Sequence, residues 1–216
     1  PPAGQVQVLL AEHQSAGRGR RGRSWLAPLG GGLCISFSTS FAELPPDVSA
    51  LSLATGVCVL RALRRLGLAP ALLKWPNDIV TPDGKLGGIL IELRAESGGP
   101  AQVVVGIGLN LRLDATTIAQ LREQGAAATD LQSLGADPLA RNAVAAALIG
   151  ECVQGLQQFA GSGFAPFIGE WRAADALRDR AVTASGSGPA LEGIARGIDV
   201  RGALLLETAT GVLPVV

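Results

Sequence analysis

The segment that most constrains the interpretation of this chain runs from Lys74 to Leu93 and reads KWPNDIVTPDGKLGGILIEL. It contains the only two lysines, Lys74 and Lys85, although the chain has 18 basic residues in all. Arginine presents a planar fork of donors, whereas lysine brings one compact charge between several anionic oxygens. Two lysines kept in one segment of an arginine-rich chain favour a site where phosphate and carboxylate meet. Chance is the alternative for this pair alone.

The start of this segment reads as the end of a strand. Leu72 to Trp75 form a short β-run, and Pro76 stops it because proline cannot donate to a strand ladder. Asn77 and Asp78 then stand at the carboxyl edge of the sheet, where ligands bind in α/β proteins. Asp78 fits either a Mg²⁺ ion that travels with a nucleotide or the cap of an ordinary turn.

The end of the segment predicts an antiparallel strand pair. Gly88–Arg94 and Val103–Leu111 are rich in β-formers, and Glu96–Pro100 is a turn sequence between them. The sequence GIGLN, Gly106–Asn110, lacks the third glycine of a dinucleotide fingerprint and does not open a helix. Its glycines allow a flat ligand to approach the strand and leave Asn110 to recognise a base or ribose, with a β-bulge as the alternative.

The remaining pattern divides the chain into two units. The predicted strands are Val6–Leu10 and Leu33–Phe37, and the predicted helices are Val48–Leu66, Ala140–Phe159 and Ala165–Ala174. From Ala181 onward the sequence changes to short strands separated by turns. We therefore expect a first domain over residues 1–176 and a small, incomplete all-β domain over residues 177–216.

A glycine- and arginine-rich segment, here called the arginine loop, runs from Ala11 to Trp25 as AEHQSAGRGRRGRSW. Three glycines between four arginines cannot pack a core, and we expect an anion to order the loop. The guanidinium groups suit phosphate and carboxylate, and Trp25 offers a flat face for a ring. A nucleic-acid contact and a solvated basic loop are the alternatives for this motif alone.

Composition excludes several classes of protein. The formal net charge is zero, which disfavours a surface built to hold nucleic acid. His13 is the single histidine, which excludes multi-histidine metal centres, and the three cysteines lack the spacing of zinc or redox motifs. No apolar run approaches the roughly 20 residues that cross a bilayer, so we expect a cytoplasmic protein without membrane contact.

In this order and at these separations, GRGRRGRSW, KWPND, KLGGILIEL and GIGLNL resemble the catalytic domain of the bacterial biotin protein ligases, or biotin–[acetyl-CoA-carboxylase] ligases. The resemblance extends from Val6 to the C-terminus, where RGIDVRGALLLE is similar to the family's small barrel. It implies an α+β fold with a mixed, largely antiparallel sheet packed by helices. A small Src-homology-3-like β-barrel is expected to follow.

The resemblance also implies a reaction. Biotin and ATP react to biotinoyl-5′-AMP and pyrophosphate, and biotin then passes to a lysine of a biotin carboxyl carrier protein. ATP, Mg²⁺ and biotin are the implied cofactors and substrate. A lipoyl or octanoyl ligase of related fold and a non-enzymatic nucleic-acid binder are the two alternatives.

Site residues follow from the matching motif positions. Lys85 is expected to bridge the biotin carboxylate and the α-phosphate, and the implied catalytic residues are Lys85, Arg20 and Asp78, with Asp78 also the candidate metal ligand. The implied biotin-binding residues are Gln14, Gly17, Arg18, Gly19, Arg20, Lys85, Leu90, Gly106 and Gly108. The implied ATP- and adenylate-binding residues are Arg20, Arg23, Trp25, Lys74, Asn77, Lys85 and Asn110.

One feature of the family has no match here. Its members begin the domain with a strand bearing an Asp-Ser-Thr-Asn motif that binds biotin's ureido group, and this chain begins at Pro1 beyond it. We expect that strand, and the last strand of the barrel, to lie outside the 216 residues. We do not expect this chain to bind DNA. We expect a homodimer that forms through the edge of the sheet.

Overall fold

A computed structural model describes residues 1–2, 4–68, 71–94, 100–137, 140–185 and 189–216. Its larger sheet has six strands in the order β1-β2-β6-β5-β4-β3, and every neighbouring pair is antiparallel. The strands are β1 Val6–Ala11, β2 Gly32–Phe41, β3 Leu72–Lys74, β4 Asp78–Thr81, β5 Gly84–Arg94 and β6 Ala101–Asn110. The predicted antiparallel pair is therefore confirmed as β5 and β6, while residues 96–99 of its predicted turn lie outside the described residues.

Four α-helices lie in the described part of the chain: α1 Leu51–Arg65, α2 Ala115–Glu123, α3 Arg141–Ser162 and α4 Ile168–Ala173. The three predicted helical regions are confirmed as α1, α3 and α4, with a 3₁₀ turn ahead of α1 and another ahead of α4. Helix α2 was not predicted, because its apolar spacing is weak. Its start is marked by Asp114, whose side chain accepts a hydrogen bond from the Thr117 N–H at 2.7 Å, and this bond lowers the pKa of Asp114.

The two faces of the larger sheet differ in the size of their side chains. Large apolar residues such as Phe37, Ile89 and Ile107 point to one face and form a buried core with α1 and α3. Successive side chains of a strand point to opposite faces. The residues between them, which include Cys34, Ser36, Gly88, Gly106 and Gly108, therefore lie on the other face. That face offers space next to the backbone.

The antiparallel order changes where a ligand can bind. The sequence placed Asn77 and Asp78 at a carboxyl edge shared by several strands, as in a parallel sheet. In this sheet neighbouring strands alternate in direction, so their carboxyl ends do not share an edge, and Asp78 begins β4. The open space next to Asp78 lies over a face of the sheet instead.

A second sheet, the C-terminal sheet, has four antiparallel strands in the order β10-β9-β8-β7. They are β7 Ala181–Ala184, β8 Leu191–Ile198, β9 Leu204–Thr208 and β10 Gly211–Val215. The α+β fold with a small following β-unit is thus confirmed. This sheet contacts the segment after β3 and helix α4: the indole N–H of Trp75 donates to the carbonyl of Gly202 at 3.0 Å, and Arg172 donates to the carbonyl of Ile198 at 2.8 Å.

Among the described residues, none of the helices combines the length and the apolarity that a membrane crossing requires.

Close contact between α1 and α3 yields a stability prediction. A Cβ atom added at Gly155 of α3 would overlap the thiol of Cys58 on α1. Gly155→Ala should therefore lower the free energy of unfolding by about 1–3 kcal/mol, since overpacking forces neighbours to move. Urea denaturation measures this change.

Two controls test the cause. Gly150→Ala in the same helix meets open space and should raise the free energy of unfolding by about 0.5–1 kcal/mol through helix propensity. In a Cys58→Ala background the Gly155→Ala substitution should cost nothing. An equal cost in both backgrounds would contradict the proposed overlap.

Candidate ligand-binding cavity

A cavity of about 810 Å³ lies over the small-residue face of the larger sheet. The arginine loop covers one side of it, and Val215 of β10 and Ser185, which follows β7, contribute to its wall. Its floor is a row of residues that pair across four neighbouring strands, namely Asp78, Gly88, Gly108 and Cys34. All but Asp78 have side chains of two heavy atoms or fewer, so the floor lies close to the backbone.

The indole of Trp25 lies directly on this floor. A Cβ atom at Gly108 would stand 2.5 Å from Cε2 of Trp25, which is closer than real atoms approach. The glycine was predicted to let a flat ligand reach the strand. In this structure the flat group at Gly108 is the protein's own indole, and Gly106, two residues away, remains open to the cavity.

Lys85 lies beside that indole. Its ammonium is 2.6 Å from Oδ1 of Asp78 and 5.7 Å from the centroid of the Trp25 ring. A Cβ at Gly88 would be 3.3 Å from the ammonium nitrogen, so the missing side chain makes room for it. The side chains of Lys85 and Asp78 are 36% and 26% exposed. The cation is therefore fixed in the cavity and still accessible to a ligand.

The arginine loop is folded back on itself. The Trp25 N–H donates to the Gly17 carbonyl at 2.8 Å, and the Gly19 N–H donates to the Arg23 carbonyl at 2.7 Å. A Cβ at Gly17 would overlap the carbonyl oxygen of Trp25, which explains the need for glycine there. The loop was expected to depend on an anion for its order. The structure shows that it also has backbone hydrogen bonds of its own.

Two arginines tie the loop to its surroundings. Arg18 forms an ion pair with Glu92 of β5, with an N–O distance of 3.0 Å. Arg21 donates to the carbonyl of Ser185, next to the C-terminal sheet, at 2.9 Å. Exposed pairs of this kind contribute little to stability, so they can open when a ligand enters.

Arg20 contributes a second cation to the cavity wall. Partial burial lowers its pKa, the nearby carboxylate of Asp78 raises it, and the neighbouring charge of Arg21 lowers it. An arginine pKa starts so far above neutrality that Arg20 remains charged. Arg20, Arg23, Lys74 and Lys85 thus surround one cavity that contains the Asp78 and Glu92 carboxylates.

The structure brings most of the predicted site residues into this cavity. Its wall includes Gln14, Arg18, Gly19, Arg20, Arg23, Trp25, Lys74, Asn77, Asp78, Lys85, Leu90, Gly106 and Gly108. Gly17 lies outside the wall, at the point where the arginine loop folds back and Gly17 contacts the backbone of Trp25. The amide of Asn77 lies at the wall but donates to the Ile89 carbonyl at 2.7 Å.

Asn110 also lies outside the cavity wall. Its side chain is buried, with only 5% of the residue exposed, and it donates to the carbonyls of Thr129 and Lys85 at 2.9 and 3.3 Å. The amide N–H groups are therefore directed at the backbone beneath Lys85. The expected contact of Asn110 with adenine stays a prediction.

Sequence reasoning missed part of the wall. Cys34 and Ser36 of β2 line the cavity together with Glu92 and Val104. The signal was present in β2 as Cys34, Ser36, Ser38 and Ser40, which alternate with the larger residues Leu33, Ile35, Phe37, Thr39 and Phe41. Burial raises the pKa of the Cys34 thiol, so this residue is a small neutral wall group. Ser185 and Val215 gave no signal, since only the docking of the two sheets brings them here.

Within the described ranges, no group of three or more His, Cys, Asp or Glu side chains is placed to hold a metal ion. Mg²⁺ in nucleotide sites commonly uses one or two carboxylates and takes its other ligands from phosphate and water. Asp78 fits that sparser mode, because it is a partly exposed carboxylate in the cavity wall.

Comparisons with known proteins cover both sheets. Residues 4–110 match the model of the biotin/lipoate A/B protein ligase family, and residues 179–216 match the biotin protein ligase C-terminal domain. The bifunctional ligase/repressor BirA of Escherichia coli strain K12 is 39% identical over 200 residues, which are 93% of this chain and 61% of that protein. The chain thus spans about three-fifths of the length of this relative.

This chain covers a larger share of two further proteins. The biotin–[acetyl-CoA-carboxylase] ligase of Mycobacterium tuberculosis is 34% identical over 206 residues, which are 93% of this chain and 73% of that protein. The solved structure of the biotin protein ligase from Aquifex aeolicus in complex with biotin and ATP has a TM-score of 0.78 and 28% identity. The match covers 96% of this chain and 84% of the Aquifex aeolicus chain.

The contact of the Trp25 indole with Gly108 can be tested by substituting two glycines on the same face of β6. Gly108→Ala should push the indole off the sheet and shift its fluorescence emission to longer wavelength, because the ring gains water contact. Gly106→Ala should leave the emission unchanged, since its new Cβ would meet Leu90 at ordinary contact distance. The Trp25 signal is obtained by subtracting the spectrum of the same variant with Trp25→Phe. Identical emission from both alanine variants would contradict the contact between the Trp25 indole and Gly108.

Proposed function

We propose that this chain, which belongs to the biotin protein ligase family, activates biotin with ATP and transfers it to a lysine of a carrier protein. The observation that supports this most strongly is the cavity itself. It combines a floor of small residues with fixed cations, and Lys85 lies at their meeting point. The floor suits the apolar ring of a ligand that carries a carboxylate. The cations suit that carboxylate and the phosphates of a nucleoside triphosphate.

The first step needs placed positive charge and no base. An oxygen of the biotin carboxylate attacks the α-phosphorus of ATP, a new O–P bond forms, and the bond from that phosphorus to the bridging oxygen breaks with release of pyrophosphate. The nucleophile is already ionised, so no proton is removed. Repulsion between carboxylate and phosphate is the obstacle, and cations fixed before the reaction reduce it.

Lys85 is the proposed bridge between the two anions. Asp78 holds its ammonium in the cavity at 2.6 Å before any ligand binds, and the absent side chain of Gly88 keeps the space open. An ammonium that is already in place does not have to be ordered when the substrates arrive, which favours the charged transition state. Arg20 and Arg23 supply further positive charge from the arginine loop.

The two substrates are proposed to occupy neighbouring parts of the cavity. Leu90 and Gly106 form the slot for the thiophane ring of biotin, with Gln14 near the ureido group, while Gly108, also expected in this slot, holds the Trp25 indole. Arg18 and the loop glycines cover the biotin side, and Trp25, Lys74 and Asn77 face the nucleotide. Closure of such a loop would exclude water and retain the adenylate.

Mg²⁺ is proposed to accompany the nucleotide, with Asp78 as its protein ligand. When bound, the ion would neutralise charge on the phosphate oxygens.

The second step requires a proton acceptor. The amine of the carrier lysine attacks the acyl carbon of biotinoyl-5′-AMP, a C–N bond forms, and the C–O bond to AMP breaks with release of AMP. The amine must lose a proton before or during this attack. We propose that Asp78 accepts it, because it is the carboxylate that touches Lys85 in the cavity; the phosphate of the adenylate is the alternative acceptor.

The assembly and location of the protein are proposals as well. Strand β1 lies at the edge of the larger sheet, and its Leu9 is 68% exposed, which supports a homodimer formed through that edge. A cytoplasmic location is proposed from the similarity to a bacterial biotin–[acetyl-CoA-carboxylase] ligase.

Pyrophosphate release separates the candidate functions. The chain should release pyrophosphate from ATP when biotin is added and not when lipoate is added, as followed by a coupled phosphate assay. Lys85→Arg should reduce this release at least about 100-fold, since a planar fork cannot replace a point charge between two anions. Release with lipoate alone would favour the lipoyl ligase, and release with neither would contradict both ligases.

Asp78 is tested in the second step alone. Preformed biotinoyl-5′-AMP is mixed with the chain and a biotin-acceptor domain, and transfer is followed in a single turnover. Asp78→Asn should slow transfer about 100-fold or more, because general bases contribute factors of that size. Asp78→Glu, which restores a carboxylate, is the matched control. Transfer by Asp78→Asn at the unaltered rate would show that another group accepts the proton.

A further inference from the structure

The KWPND segment, residues 74–78, contributes three polar side chains to the cavity wall, namely Lys74, Asn77 and Asp78. It connects β3 and β4, which have only three and four residues, and β3 lies at the edge of the larger sheet. Strands this short form few ladder hydrogen bonds with each other. Contacts from outside β3 and β4 therefore decide where the segment lies.

Two of these contacts come from the first domain. The Pro76 carbonyl accepts from the hydroxyl of Ser52 on α1 at 3.0 Å. The Asn77 amide donates to the Ile89 carbonyl of β5 at 2.7 Å, and the Ile89 N–H donates to the Asn77 carbonyl at 2.9 Å. These bonds hold the second half of the segment, and none of them reaches the indole of Trp75.

A third contact comes from the C-terminal sheet. The turn between β8 and β9, residues 199–202, is here called the β8–β9 turn, and its Gly202 carbonyl accepts from the Trp75 indole N–H at 3.0 Å. A Cβ at Gly202 would stand 2.8 Å from Ala50 and from Leu53. The turn is therefore packed against the start of α1 at the same place where it contacts Trp75.

The β8–β9 turn has a defined shape of its own. Oδ1 of Asp199 accepts from the Arg201 N–H at 2.8 Å and from the Ala203 N–H at 2.9 Å. Gly202 has a φ of +83°, in the left-handed region that glycine adopts readily. The Asp199 carboxylate thus fixes the direction in which the Gly202 carbonyl points.

We propose that Trp75 is a positioning residue for Lys74 and Asp78, and that the β8–β9 turn holds its indole in place. The inference rests on the proposed function, in which Lys74 faces the nucleotide and Asp78 binds Mg²⁺ and accepts the proton. Trp75 is half-buried and packs against the core, so a displaced indole moves the backbone that carries both side chains. A displacement of about 1 Å from a productive geometry can cost about 100-fold in rate.

The variant Trp75→Phe removes the indole N–H and keeps an aromatic ring. We expect kcat/KM for ATP in adenylate formation to fall about 10-fold or more, because the donor that fixes the segment is lost. The Kd for biotin without ATP should change less than about twofold, since the biotin slot is formed by other strands. An unchanged kcat/KM for ATP would overturn the inference.

Arg172→Met is the matched control. Arg172 donates to the Ile198 carbonyl at 2.8 Å and so attaches the same sheet to α4, away from the KWPND segment. This variant should change kcat/KM for ATP less than about twofold. A loss equal to that of Trp75→Phe would show that general attachment of the sheet matters and would overturn the role of Trp75.

A double-mutant cycle tests the path from the turn to the segment. Asp199→Ala removes the carboxylate that shapes the turn and should lower kcat/KM for ATP about 5- to 10-fold. In a Trp75→Phe background it should cost less than about twofold more, because the link is already broken. An equal cost in both backgrounds would contradict the path through Trp75. Should Trp75→Phe fail to fold, Asp199→Ala is compared with Arg172→Met alone, and equal losses there would overturn the inference.

The indole N–H resonance of Trp75 gives a readout that does not depend on activity. The chain has three tryptophans, and the Trp75 signal is the one missing in Trp75→Phe. Asp199→Ala should speed its hydrogen exchange about 10-fold, since the bond to Gly202 opens more often. An unchanged exchange rate would refute the link even if the chain showed no ligase activity. If the unaltered chain releases no pyrophosphate while exchange rises as expected, the proposed function fails and the contact stands.

Discussion

The missing side chains at Gly88 and Gly108 make the cavity possible. Where another residue would place a Cβ, these positions leave room for the Lys85 ammonium and the Trp25 indole. They pair with each other across β5 and β6, so the two spaces are adjacent. The opposite face of the same strands carries the large apolar residues that pack on the helices. One sheet therefore provides a rigid core on one side and a shallow, accessible floor on the other.

Charge in the cavity is arranged in partly exposed pairs. Lys85 forms an ion pair with Asp78, and Arg18 of the arginine loop forms an ion pair with Glu92 of β5. Each carboxylate keeps a cation in place in the absence of ligand, and neither pair is buried deeply enough for its opening to be costly. An incoming anion can thus compete for cations that are already oriented. Cationic side chains outnumber carboxylate side chains in the cavity wall, although the formal net charge of the chain is zero.

The C-terminal sheet is part of the same structure and not a separate appendage. Its turn at Gly202 accepts a hydrogen bond from Trp75, which is the neighbour of Lys74 and Pro76 in the cavity wall. A Cβ at Gly202 would stand 2.8 Å from Ala50 and from Leu53, so the turn lies tightly against the start of α1. The matches of known ligases to both sheets agree with this joint construction.

The sequence by itself determined the strands and helices with clear periodicity, and the order of the charged motifs was enough to select Lys85, Asp78 and the arginine loop. Short-range patterns suffice for these because propensity, turns and charge act between near neighbours. It could not determine that the site lies on a sheet face, that Ser185 and Val215 reach it, or that Asn110 points to the backbone of Lys85. Those features depend on which distant strands pair and in which register. Only the tertiary structure decides this, because the direction of a side chain is set by backbone hydrogen bonds between segments far apart in the chain.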